Sequence, residues 1–224
     1  MGRGSRSSGD GVGIVVVKYL AAVTAVIMAV AVSPGPRPVA AAQAAPGVPA
    51  AADFHWGVST SGFQVEGSNP DSNWKRYVDA AAPTGQVDPV NDAADFWNRY
   101  REDIANAAAM GVNTFRLSVE WARIEPAPGE YDAEALAHYD RIISEIRAHG
   151  MTPMITMMHF VYPGWLADRG GMLTDGAVES FERYTELITQ RWGGDDTMWV
   201  TINEPLVFFK HEMTIGQVGP QDFG

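Results

Sequence analysis

The stretch T-P-M-I-T-M-M-H, Thr152 to His159, is an apolar run of strand length that stops on an ionisable side chain. Such a run fits a buried strand or a piece of buried helix, and its neighbours decide between them. Upstream, Leu136, Tyr139, Ile142, Ile143 and Ile146 recur at helical spacing and stop at Gly150. Downstream, Phe181, Tyr184, Leu187, Ile188 and Trp192 do the same and stop at Gly193-Gly194. A helix on each side makes Thr152–Met158 a strand.

The same order recurs outward from it. Phe54–Val58, Asn113–Val119 and Thr197–Ile202 read as strands, and Phe96, Tyr100, Ile104, Ala107 and Ala108 form a third helical stripe, closed by Gly111. Asp132 and Asp175 are expected as N-caps, since a short carboxylate accepts from free first-turn amides. Repeated strand–loop–helix units with one-sided helices give an α/β fold with a parallel sheet. Strand-to-strand spacings of about 40 to 60 residues are loose for a doubly wound domain. They suit a (β/α)8 TIM barrel with insertions in its upper loops, of which this chain carries roughly the first four βα units. No Gly-rich phosphate loop follows any strand.

Polar residues gather where these strands end. Gln64 and Glu66 follow the first, Arg116 sits within the second, His159 ends the third and Asn203-Glu204 end the fourth. Singly, each has an ordinary structural reading: an ion-pair partner, a core histidine, a loop hydrogen-bonder. Together they mark the end of a parallel barrel that carries chemistry. Seven tryptophans add flat apolar faces of the kind a sugar ring stacks on. Trp192 fits a helix stripe, and Trp165, in the Pro-Gly-Trp-Leu turn, is the expected sugar platform.

Composition narrows the classes. With no cysteine there is no disulfide framework and no thiolate nucleophile or metal ligand. Formal net charge is -11, and from Pro46 onward 12 Lys and Arg face 26 Asp and Glu. That excludes the basic footprint of a nucleic-acid surface. Residues 1–45 are different material. Arg3 and Arg6 precede an apolar stretch, broken by Lys18, that runs on to Val32 and then into Pro- and Ala-rich sequence with small-x-small sites at Ala40 to Ala44. This is the pattern of an export signal, so residues 46–224 are expected to form the barrel part and the protein to be secreted, without stable membrane insertion once cleaved. The alternative is a retained N-terminal anchor, because Val12–Val32 is long enough to span.

Four ordered motifs resemble family 1 of the glycoside hydrolases, the retaining β-glucosidase and β-galactosidase type. They are F-H-W-G-V-S-T-S-G-F-Q-V-E-G (Phe54 to Gly67), F-R-L-S-V-E-W-A-R-I-E-P (Phe115 to Pro126), M-H-F-V-Y-P-G-W-L (Met158 to Leu166) and T-I-N-E-P (Thr201 to Pro205). The resemblance implies Glu204 as general acid/base and Asn203 as partner of the substrate's 2-hydroxyl. It implies that Gln64 and His159 hold sugar hydroxyls, and that Arg116 lies near the nucleophile and keeps it ionised. A β-linked glucoside or related oligosaccharide is the implied partner, with no cofactor and no metal. Phe160, where many members carry Trp, and Asn98, where His is common, depart from the pattern and bear on sugar preference.

The chemistry asks for two carboxylates. An acid protonates the glycosidic oxygen, and in retaining enzymes a second carboxylate about 5 to 5.5 Å away attacks the sugar. Glu204 is expected to be partly desolvated, near another carboxylate, with the raised pKa that role needs. The family's nucleophile lies in a Thr-Glu-Asn-Gly-like motif late in the barrel, and no such motif occurs in residues 1–224. Asp195, Asp196, Glu212, Glu66 and Glu120 do not take its place. The chain is therefore expected to be an N-terminal fragment with open sheet edges, poorly folded and inactive by itself. Alternatives are a non-catalytic carbohydrate-binding remnant or truncated pseudoenzyme, and a 6-phospho-β-glycosidase.

Overall fold

The alternating runs and helical stripes assemble into one parallel sheet with helices on one side. The computed structural model describes residues 54–210. Residues 1–45, expected as an export signal, and Glu212 lie outside the described residues. In chain order the elements are β1 (Gly57–Ser59), α1 (Gly62–Val65), α2 (Asn73–Ala81), α3 (Phe96–Ala109), β2 (Thr114–Ser118), α4 (Trp121–Ile124), α5 (Ala133–Ala148), β3 (Thr152–Met158), α6 (Gly164–Ala167), α7 (Ala177–Trp192), β4 (Met198–Ile202) and α8 (Pro205–Phe209). Two short 3-10 turns, Ala82–Thr84 and Gly171–Leu173, complete them.

The sheet order is β1-β2-β3-β4, every pair parallel. The strand–helix–strand crossovers leave consecutive strands adjacent, which is how a barrel begins to close. Alternation divides the sheet. Phe115, Leu117 and Ile155 meet Ile104, Tyr139, Ile142, Ile143, Ile146, Tyr184 and Ile188 from the long helices in one apolar cluster. Each fully buried Ile or Phe there contributes about 1.5–3 kcal/mol. Arg116 and Thr156 alternate with these residues and lie on the other face, which no described helix covers. Both edges are open: β1 and β4 are exposed or half-buried throughout, whereas β2 and β3 are mostly buried.

Strand and helix placement follows the sequence closely, with two shifts. Asp132 caps α5 as expected, its Oδ1 accepting from Glu134 N at 2.8 Å and Ala135 N at 2.9 Å. Asp175 does not cap α7. Gly176, at φ 82°, takes that position, and the turn closes through Ala177 N to the Thr174 carbonyl at 3.2 Å. The first strand begins at Gly57 rather than Phe54, because Phe54 and Trp56 stay exposed. Gly57 lies so close to β2 that a Cβ there would stand 2.7 Å from the Thr114 carbonyl oxygen.

Candidate active site

The site grows from the uncovered face of the sheet. Arg116, half-buried on β2, donates from Nε to Thr156 Oγ1 of β3 at 2.8 Å and from a terminal nitrogen to Asn203 Oδ1 at 2.7 Å. One guanidinium thus ties three successive strand ends together. Asn203 is 8% exposed, and its backbone N–H donates to the Met158 carbonyl at 2.9 Å. Because Arg has only donors, the amide oxygen of Asn203 must face it, leaving the NH2 group to face elsewhere.

The next residue turns sharply. Glu204 adopts the left-handed conformation, φ 44° and ψ 59°, and Pro205 opens α8 at its first turn. Proline suits that position, since its missing N–H would have no helical partner there. A non-glycine residue held left-handed costs about 1–2 kcal/mol, a strain typical of functional positions. The turn buries Asn203 and leaves Glu204 exposed. Residues 54–210 therefore do not supply the partial desolvation expected of Glu204.

His159 follows β3, half-buried, with Phe160 packed edge-on at 5.3 Å. Burial, then the nearby Arg116 charge, lower its pKa to about 4, so the ring is neutral at pH 7. Its Nδ1 is buried without a hydrogen-bond partner among the described residues. Phe160 is itself left-handed at φ 68°. Asn73 secures this bend: its Nδ2 donates to the Phe160 carbonyl at 3.1 Å and its Oδ1 accepts from Tyr162 N at 3.0 Å.

Gln64 projects from α1, with Ser61 Oγ donating to its Oε1 at 2.7 Å. Gln64, His159, Ser61, Trp74 and Phe160 line one hollow of about 350 Å³, walled otherwise by Phe63, Tyr77 and valines. Two sugar-holding residues expected from sequence are thus brought together, and Arg116 with Asn203 forms an adjoining bonded pair. Trp165 is not brought there. Its Nε1 donates to the Glu125 carbonyl at 2.9 Å, its edge meets Trp121, and the Arg169 guanidinium lies over its ring at 5.1 Å. Trp165 therefore does not line this hollow: its donor is satisfied, and its half-buried ring stands apart from Gln64 and His159. The tryptophan at the hollow is Trp74, in a segment whose short apolar stripe gave no sign of it.

A second polar group, missed in the sequence, lies behind α1. Glu66 and Glu120 are 1% and 3% exposed. Tyr139 Oη donates to Glu66 Oε1 at 2.7 Å and accepts from Glu120 N at 2.9 Å. Arg123 Nε donates to Glu66 Oε2 at 3.2 Å, and its guanidinium lies 4.1 Å from the Trp97 ring centroid. Glu120 Oε1 accepts from Phe63 N at 3.1 Å. Desolvation raises Glu66 to about 6 against the pull of Arg123. Desolvation and then the Glu66 charge raise Glu120 to about 8. Both are enclosed by Tyr139, Arg123 and α1. Among the described residues, no cluster of three or more His, Cys, Asp or Glu is placed to hold a metal.

Four parallel βα units with polar side chains gathered beyond their carboxyl ends are the first four units of a (β/α)8 barrel. The model of glycosyl hydrolase family 1 matches residues 49–223. The chain is 32% identical over 159 residues to a β-glucosidase of Arabidopsis thaliana, covering 70% of this chain and 32% of that protein. It is 33% identical over 165 residues to an aryl-phospho-β-D-glucosidase of Bacillus subtilis, covering 70% of this chain and 35% of that protein. Among solved structures it is similar to a β-glucosidase of Thermotoga maritima bound to a substituted glucoimidazole, with 31% identity and a TM-score of 0.63, over 70% of this chain and 37% of that one. The chain belongs to glycosyl hydrolase family 1. It spans about a third of the length of the curated relatives it matches.

Proposed function

We propose that residues 46–224 supply the acid/base half of a β-glucosidase-type active site that hydrolyses β-linked glucosides with retention of configuration. The observation that carries this reading is the Asn203–Glu204–Pro205 turn, where a buried amide locked by Arg116 precedes an exposed carboxylate held left-handed. Glu204 protonates the leaving oxygen and later takes a proton from water. Gln64 and His159 hold the sugar in their shared hollow, Asn203 presents its NH2 to the 2-hydroxyl oxygen, and Arg116 faces the developing site with a positive charge. The second carboxylate lies outside residues 1–224, so these residues alone do not turn over. The protein is exported on residues 1–45, which are either cleaved or kept as an anchor.

A phosphorylated glycone is the second reading, favoured by the identity to the aryl-phospho-β-D-glucosidase. A carbohydrate-binding remnant without hydrolysis is the third. The leaving-group dependence of Glu204→Gln, measured in the longest form of the protein that hydrolyses aryl glucosides, tests the first. Alkyl glucosides should slow far more than activated aryl glucosides, because only the poor leaving groups need the proton. Equal losses for both remove Glu204 from the acid/base role. Parallel assays with 4-nitrophenyl β-D-glucoside and its 6-phosphate separate the first two readings, and calorimetric sugar binding without turnover marks the third.

A further inference from the structure

The buried carboxyl pair is not used by the chemistry above, yet its bonds converge on one short turn. Gly62 N donates to Ser118 Oγ at 2.6 Å and Phe63 N to Glu120 Oε1 at 3.1 Å, so the first two residues of α1 rest on β2 and Glu120. Gly62 leaves room for that carboxyl, since a Cβ there would stand 2.5 Å from Glu120 Oε1. Glu66, just past α1, is fastened by Tyr139 and Arg123. Gln64 projects from between these two anchors into the hollow.

The groups facing Glu120 are Glu66 after α1, Arg123 of α4, Tyr139 of α5 and Tyr184 of α7. Burial holds both phenols uncharged. Arg123 is the cation that acts on both carboxyls. One guanidinium balances one carboxylate, and Glu66 has the direct contact. Two ionised carboxylates here would leave one charge uncompensated in a buried place, and an ionised Glu120 would accept more strongly from Phe63 N, so its charge bears directly on the α1 turn. The back wall of Tyr139 and Tyr184 is fully buried, whereas the α1 side reaches solvent at Gln64.

We propose that Glu120 is a positioning residue for Gln64: its carboxyl holds the α1 turn through Phe63 N, and a change of its charge beside Glu66 shifts that turn and Gln64 with it in the hollow. The consequence for sugar rests on the reading of Gln64 given above, while the positioning itself does not. Ligand binding through Gln64 then changes as Glu120 loses its proton, at the alkaline end of the working range.

The test is a pH titration, from about pH 5.5 to about 9.5, of the longest form of the protein that folds, labelled with 15N at Phe and Gln and read by NMR. The Phe63 backbone amide and the Gln64 side-chain amide should move together with a midpoint near 8. Glu120→Gln keeps an acceptor for Phe63 N but cannot ionise, so the step near 8 should vanish from both resonances, leaving only any step near 6 from Glu66. Glu66→Gln removes the neighbouring charge, so the midpoint should fall. Resonances without a step near 8 in the wild type, or a step near 8 that survives Glu120→Gln, overturn the proposal. So does a Phe63 resonance that titrates while Gln64 stays fixed, and so does a spectrum without a dispersed Phe63 amide. Glucose added at pH 6 reads the other question: no shift at Gln64 counts against the sugar role and leaves the positioning result standing.

Discussion

The two faces of the sheet differ in what their polar groups are doing. On the helix-covered side the polar atoms are spent: Trp121 Nε1 donates to Glu125 at 2.6 Å, Tyr184 Oη to the Met157 carbonyl at 3.0 Å, and Glu66, Arg123 and Tyr139 to or from one another. On the uncovered side they are held but not used up. Arg116 is tied to Thr156 and Asn203, His159 keeps a buried Nδ1 without a described partner, and Glu204 stands exposed in a strained turn. Satisfied groups fix the fold, whereas groups aimed and left open do chemistry. The covered face is predicted to carry the stability and the open face the function, and substitutions can separate the two.

The largest expected effect is on the covered face. Trp121→Ala removes a side chain that is 1% exposed, stacks on Tyr184 with centroids 5.1 Å apart, and satisfies Glu125. Urea unfolding should show a loss of about 3–5 kcal/mol. Arg123→Met strands the Glu66 carboxylate and should cost about 3–5 kcal/mol at pH 7. The loss should be smaller at pH 5, below the raised Glu66 value of about 6, where the stranded group is protonated. A loss independent of pH would mean that Arg123 acts by packing on Trp97 rather than by charge.

The open face should give the opposite sign at one position. Glu204→Gly relieves the left-handed strain and should stabilise the chain by about 1 kcal/mol, while removing the proposed acid/base group. Destabilisation there would place Glu204 among the residues that hold the fold. The pH dependence of stability should also divide by face. His159 titrates near 4 folded against 6.5 unfolded, so its contribution is present above pH 6.5 and is lost as pH falls toward 4. Glu66 and Glu120 have folded values above the ordinary 4.5, so their contribution is present below 4.5 and is lost as pH rises through about 6 and then about 8. Thermal melts of His159→Gln should flatten the acid limb alone, and those of Glu120→Gln the alkaline limb alone. The smallest effect belongs to the exposed Lys75–Asp79 pair on α2: Lys75→Ala should cost no more than about 0.3–0.5 kcal/mol.

Much of the covered face could be read directly. The three helical stripes, the Asp132 cap and the strand Thr152–Met158 follow from periodicity and local chemistry, which need no long-range information. The carboxyl pair could not be read, because its bonds join residues 57 and 73 positions apart and buried glutamates carry no periodic mark. On the open face, Gln64, Arg116, His159, Asn203 and Glu204 stood out as polar ends to apolar runs, and the motif resemblance supplied their roles. What escaped was direction. Trp165 and Trp74 are the same residue type, and only packing shows that the first turns to Glu125 and Arg169 while the second lines the hollow. Asp175 misled for a related reason, since the left-handed Gly176 was available to start α7 one residue later.

The most direct measurement is release of 4-nitrophenol from 4-nitrophenyl β-D-glucoside by residues 46–224, with Glu204→Ala prepared in parallel. The predicted result is no turnover by either protein, because on the function proposed above residues 46–224 carry Glu204 without its carboxylate partner. Turnover that disappears with Glu204→Ala would contradict this, and would require a second carboxylate from within residues 46–224 or from a second copy of the chain.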